Sequence, residues 1–173
     1  MTVKQALEHY FEVKSDFYCK YKDVDLPKPI KPIEITQEVE FEEIEKELGF
    51  SIHTDIKSFL SSYWFNEVEG FCNDRYVHIN GINTIEDIRN DVLVGFFMGD
   101  DHFLKDAHYW YMGIYEPFSL FVNNTTGEVS AAIIYEHNTI HLFDSISDFM
   151  ALRKNLCKIK NCDKNVMMEW LKN

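Results

Sequence analysis

Residues 121–135 read FVNNTTGEVSAAIIY, two apolar runs on either side of Asn123-Asn124-Thr125-Thr126-Gly127-Glu128. Asn123, Asn124 and Gly127 accept positive φ at low cost, whereas Val122, Val129, Ile133 and Ile134 favour a pleated, half-buried surface. The stretch therefore predicts strand, turn, strand: the corner of a sheet rather than a loop that presents chemistry. If so, its neighbours should pair antiparallel as well.

They carry the right pattern. WYMGIYE (110–116), FSLFVNN (118–124), EVSAAIIYE (128–136) and TIHLF (139–143) are strand candidates separated by short connections. Upstream, FNEVEGFCNDRYVHINGI (65–82) reads as two further strands around an Asn73-Asp74 turn. Between and around the strands the period changes to helical. Val3 to about Tyr21 has Ala6, Leu7, Tyr10, Phe11, Phe17 and Tyr18 on one side. Pro27, Pro29 and Pro32 then rule out helix and make an extended arm. In ITQEVEFEEIEKELGF (35–50), Val39, Phe41, Ile44 and Leu48 share a face, and Gly49 stands at the C-cap position.

Thr54 is the expected N-cap of the next helix, with Ile56, Phe59, Leu60 and Tyr63 inward. Capping boxes at Thr84/Asp87 and Ser145/Asp148 open two more. The first carries Ile85, Ile88, Val92, Leu93 and Phe96 and stops at Gly99; the second carries Ile146, Phe149, Leu152 and Leu156. A last short helix would hold Val166, Met167, Trp170 and Leu171. The class is α+β, a mostly antiparallel twisted sheet flanked by helices. The expected organisation is a single domain over 1–173: helix 3–21, proline-bearing arm 23–35, core 36–156 and C-terminal tail 157–173.

At 173 residues and 46% hydrophobic content, one domain can bury a sizeable core without staples. No window reaches the length of a transmembrane span, and the charged N-terminal stretch lacks an apolar leader core, so a cytoplasmic protein is expected. Cys19, Cys72, Cys157 and Cys162 fit that compartment as free thiols, since their spacing matches no zinc ligand set.

The charge is uneven. Residues 1–50 hold 12 acids and 7 bases, residues 51–144 hold 14 acids and 4 bases, and residues 145–173 hold 3 acids and 6 bases. The middle segment thus stands at −10 within a net charge of −12. Such a field repels nucleic acid and anionic lipid and attracts basic proteins, although net charge also serves solubility. Seven glutamates between Glu34 and Glu47 face only Lys46, the pattern of a solvated helix face.

Motifs for catalysis are absent. There is no G-x-S-x-G and no phosphate-cradling glycine loop. GDDH (99–102) lacks the alternating ligands of a hard-cation loop, and HNTIH (137–141) lacks the glutamate and the helical setting of a zincin. No cofactor or metal site is expected. A hydrolase using Glu67, or Asp100 and Asp101, is a remote alternative. What stands out is surface: Tyr63, Trp64, Phe65 and Tyr109, Trp110, Tyr111 set bulky aromatics near acids, and strand alternation turns some of them outward. The expected partner-binding residues are Tyr63, Trp64, Glu67, Glu69, Asp100, Asp101, Asp106, Tyr109 and Trp110.

Several stretches in this order resemble the Syd family, the SecY-interacting proteins of bacteria within the SUKH superfamily. They are QALEHYFEVK (5–14) with the proline-bearing arm, IEKELGFSIHTDIKSFLSSYWF (44–65), IEDIRNDVLVGFFM (85–98), FSLFVNNTTGEVSAAIIY (118–135) and ISDFMALRKNL (146–156). The last two are the most telling: a strand, an N-x-x-G-E-V turn, a strand, then a helix opening S-x-x-D-F. The tail from Cys157 to Asn173 lies outside the most Syd-like part. The resemblance implies a binding scaffold without shared catalytic residues. It implies one of two roles, immunity against a basic, nuclease-type toxin, or a cytosolic partner of SecY loops.

Overall fold

Strict sequential pairing builds the sheet. In the computed structural model, which describes residues 1–20, 32–65, 68–72, 75–97, 108–115, 118–133 and 138–151, six strands follow one another in space as they do in the chain. They are β3 (Val68–Cys72), β4 (Arg75–Ile79), β5 (Tyr109–Tyr115), β6 (Phe118–Asn123), β7 (Val129–Ile133) and β8 (Asn138–Phe143), all antiparallel. A separate two-stranded ribbon joins β1 (Ile33–Glu34) to β2 (Tyr63–Trp64). The proline-bearing arm therefore ends in a strand, and Trp64 pairs with that arm instead of beginning the large sheet.

The hairpin over 121–135 forms as expected at β6–β7, with Val122 opposite Val129. Its turn works differently from the expectation. Among the described residues of the turn only Gly127 has positive φ, +78°. Asn123 and Asn124 act through their side chains instead. Asn123 Oδ1 accepts from the backbone N–H groups of Thr125 (2.8 Å) and Thr126 (3.1 Å). Asn124 reaches out of the turn: its Oδ1 accepts from His53 N (2.8 Å) and its Nδ2 donates to Ser51 O (2.8 Å). A Cβ on Gly127 would stand 2.5 Å from His53 Cε1, so the turn lies flush on that ring. The corner is a latch between the sheet and the loop at 49–53.

The helices are α1 (Val3–Lys20), α2 (Phe41–Leu48), α3 (Thr54–Leu60), α4 (Ile85–Phe97) and α5, helical over 146–151. Gly49 caps α2 in the left-handed region at φ 81°. The N-cap of α3 is His53, not Thr54: its Nδ1 accepts from Asp55 N (3.2 Å), and Thr54 is the first helical residue. Both expected N-caps form. Asp87 N donates to Thr84 Oγ1 while Thr84 N donates to Asp87 Oδ2, a full box; Asp148 N donates to Ser145 Oγ, and the Asp148 carboxylate accepts from that hydroxyl.

All five described helices contribute to one core. Ala6, Leu7 and Tyr10 of α1, Phe41 and Ile44 of α2, Ile56, Phe59 and Leu60 of α3, Ile88, Val92 and Phe96 of α4, and Ile146, Phe149 and Met150 of α5 join Trp110, Met112, Leu120, Val122 and Val129 of the sheet. Each large side chain contributes roughly 1.5–3 kcal/mol by leaving water. The expected stop at Gly99, the turn at 73–74 and the helices beyond residue 151 lie outside the described residues.

Candidate functional site

Alternation along β5 sorts its aromatics into two groups. Trp110 points into the helix-covered core, whereas Tyr109 and Tyr111 stand on the other face of the sheet with Phe121 and Ala132. The rings of Tyr109 and Tyr111 meet Phe121 edge to face at 6.5 and 5.6 Å. Among the described residues this second cluster is made of sheet residues alone. Strand register carries the same face across the sheet. Phe121 and Ser119 share parity on β6; Ser119 stands opposite Ile114, Ile114 opposite His78 and His78 opposite Glu69. Position 69 therefore shares a face with Tyr109 and Tyr111.

Two expected site residues are core residues. Trp110 is 1% exposed, and its Nε1 donates to the Asp91 carbonyl at 3.3 Å. Tyr63 is 7% exposed, and its hydroxyl donates to Glu8 of α1 at 2.6 Å. Burial, then the Glu8 hydrogen bond and the Glu8 and Glu34 charges, push the Tyr63 phenol well above its usual range. These two rings are removed from the candidate surface because their apolar area is already spent on the interior. Trp64 is half-buried in the ribbon, and Tyr109 is half-buried on the outer face. Glu69 lies in β3; Glu67, Asp100, Asp101 and Asp106 lie outside the described residues, as do residues 99–102 and 137. Among the described residues no three His, Cys, Asp or Glu are placed to hold a metal ion.

Tyr111 and Asp91 escaped the sequence reading as site residues. Parity alone could have separated Tyr109 and Tyr111 from Trp110; nothing local marks Asp91. The structure explains its place. β4 pairs with β5 only as far as Ile79 opposite Gly113, where the register shifts at Met112. Beyond that point α4 lies against β5. Gly95 makes this approach possible, since a Cβ there would be 2.5 Å from Trp110 Nε1 and 3.4 Å from Tyr111 O. One turn earlier on α4, Asp91 Oδ1 accepts from Asn80 Nδ2 at 3.2 Å. Burial pushes the Asp91 carboxyl up to about 6, the Asp87 charge adds to that rise, and Asn80 opposes it. Burial, and then the Asp91 charge, raise the Tyr111 phenol in turn.

The acids of α2 are placed otherwise. Glu38, Glu40, Glu42 and Glu43 are exposed, as expected of a solvated face. Glu45 is not part of that face. Its Oε1 accepts from Ile52 N (2.7 Å) and pairs with Lys57. Partial burial works against its charge, but the hydrogen bonds from Lys57 and Ile52 hold the carboxyl below its usual range. Glu47 pairs with Arg89 and so ties α2 to α4.

This arrangement presents aromatic rings and carboxylates without a nucleophile placed beside a base, which suits recognition rather than bond breaking. No helix among the described residues is long and apolar enough to cross a membrane. No curated protein matches the chain. The family model described as Syd protein (SUKH-2) matches residues 2–154, and the chain belongs to that family of binding proteins, which is not known as a family of enzymes.

Proposed function

We propose that this protein is an acidic, non-enzymatic immunity protein that binds and neutralises a basic toxin domain of the nuclease type in the cytoplasm. One observation carries the reading. The second aromatic cluster, half-buried Tyr109 and Tyr111 packed on the buried Phe121, sits on the sheet face opposite the described helices, within a segment of net charge −10. Half-buried tyrosines in an acidic segment supply contact area and steer a basic partner. A second reading is interaction with the cytosolic loops of SecY, and membership of the Syd branch is what favours it. Both partners are basic, so the same face serves either.

The test is association kinetics across a salt series, with a basic nuclease-type toxin domain and with SecY loop peptides. Steering of this kind raises association rates by roughly 10–1000-fold at low salt. Screening shortens its reach from about 30 Å at 0.01 M to about 8 Å at physiological ionic strength. Replacing Glu67, Glu69, Asp100, Asp101 and Asp106 by Lys should slow association far more than replacing Glu38, Glu42 and Glu43. Binding of the toxin domain with loss of its activity supports immunity, and binding of the SecY peptides alone supports the second reading. Salt-independent association, or equal slowing by both sets, overturns the acidic face.

A further inference from the structure

The seam between α4 and the outer sheet face brings together groups that the family match does not assign. Asp87, Asp91 and Val94 follow one another at helical spacing along one side of α4. Val94 is 52% exposed. Gly95, next to it, lets the helix sit against the backbone of Tyr111. Tyr111 itself stands half-buried on the outer face between Tyr109 and the sheet's centre, in contact with Phe121. Asp91 is half-buried, accepts one hydrogen bond from Asn80 through Oδ1, and has no basic side chain in ion-pair range among the described residues. A carboxylate in that position has no cation among the described residues, and the Tyr111 phenol is near enough to feel its charge.

We propose that Asp91 and Tyr111 form a receptor for a single arginine side chain of the basic partner. This rests on the reading of the protein as a binder of basic proteins and names the subsite within it. The guanidinium fits the chemistry better than an ammonium. Its plane stacks on a tyrosine ring while its N–H fork pairs with a carboxylate, and it sheds water more easily than lysine. Asn80 already holds Oδ1, which orients the carboxylate so that Oδ2 is left for the incoming N–H. Val94, one turn further along α4, is the exposed apolar side chain available to the methylene stem.

The geometry also sets the pH dependence. Among the described residues the groups acting on Asp91 are Asn80 from the loop before α4 and Asp87 from its own helix, and Asp91 acts in turn on Tyr111 of β5. None of them is a cation. Arginine binding therefore requires Asp91 to be charged and should weaken as pH falls from 7.5 through about 6.

The probes are the capped tripeptides Gly-Arg-Gly and Gly-Lys-Gly, titrated into the full chain at low salt and followed by NMR. The Trp110 indole N–H reports the site, because it donates to the Asp91 carbonyl. We expect Gly-Arg-Gly to shift that resonance and the Tyr111 ring, with at least threefold tighter binding than Gly-Lys-Gly. Asp91→Asn should weaken the arginine peptide about tenfold and remove the pH dependence, Tyr111→Ala should weaken it several-fold, and Glu42→Gln with Glu43→Gln should change it less than twofold. Asp91→Glu should rescue part of the loss, a result that a purely structural role for Asp91 would not produce. Thermal melts confirm that each variant is folded. Unchanged binding in folded Asp91→Asn, shifts confined to α2, or no shift at all overturns the subsite. The reading of a basic partner is judged separately by the salt series with whole partners, which survives loss of this subsite.

Discussion

The acids at α2 and on α4 are used in opposite ways. Glu38 and Glu40 just before α2, and Glu42 and Glu43 on it, face water, and the one that turns inward, Glu45, is met by Lys57 and the Ile52 N–H. On α4, Asp91 turns inward and among the described residues is met by an amide from Asn80 and by no cation, with Asp87 nearby. In one case a described cation meets the partly buried charge; in the other none does. The comparison teaches that a count of acids in a segment says little about recognition. What matters is which carboxylate is partly dehydrated without a cation.

The largest expected effect tests whether α4 is seated as this comparison requires. Trp110→Ala removes the ring against which Gly95 packs and the donor to the Asp91 carbonyl. We expect a loss of about 3–5 kcal/mol in denaturant unfolding, as for other buried aromatics. A loss below about 1 kcal/mol would mean that the helix is held elsewhere.

Asp91→Asn comes next and should stabilise the free protein. The folded carboxyl titrates near 6 against an ordinary value of 3.8. The native state then binds more protons than the unfolded chain between those values, so stability falls as pH rises through that window. At about 1.4 kcal/mol per unit the ceiling is about 3 kcal/mol, and water on the exposed side reduces the expectation to about 1–2 kcal/mol. Melting curves at pH 7.5 and 3.5 check it. The variant should gain at the higher pH and show little difference at the lower. A gain of equal size at both would remove the charge from the explanation.

Glu45→Gln should act with the opposite sign. Its carboxyl is held below the ordinary value of 4.5, so its contribution is present above that pH and is lost as pH falls through the folded value. We expect a loss of about 1 kcal/mol at pH 7, since one hydrogen bond and one ion pair are weakened. The smallest effect belongs to Glu42→Gln and Glu43→Gln, within about 0.5 kcal/mol, as for exposed charges generally. If Glu45→Gln is equally silent, the contrast between the two helices collapses to one residue.

Much of the fold was legible because its signals are local. The β6–β7 hairpin, the Gly49 cap and the N-caps at Thr84 and Ser145 depend on residues within a few positions of one another, and all of them form. Errors were local too. Placing the N-cap at Thr54 missed by one residue, because His53 can accept a hydrogen bond through Nδ1 as a serine or asparagine would. The pairing of Trp64 with Ile33 was not legible, because nothing near either residue reveals a partner some thirty residues away.

The candidate surface divides along the same line. The residue types were legible: acids concentrated in 51–144, and aromatics at 63–65 and 109–111. The side of the sheet each aromatic would take was not, because parity identifies which residues share a face but not which face the helices cover. The sequence by itself determined the class of fold, the corners of the sheet and the sign of the electric field, since hydrophobic period, turn chemistry and charge are properties of the chain. Only the tertiary structure decided that Trp110 is core while Tyr109 and Tyr111 stand half-buried on the other face of the sheet, and that Glu45 meets a cation while Asp91, among the described residues, does not. Those outcomes depend on how α4 packs against β5 and how α2 meets α3, and burial and pairing are set by neighbours distant in sequence.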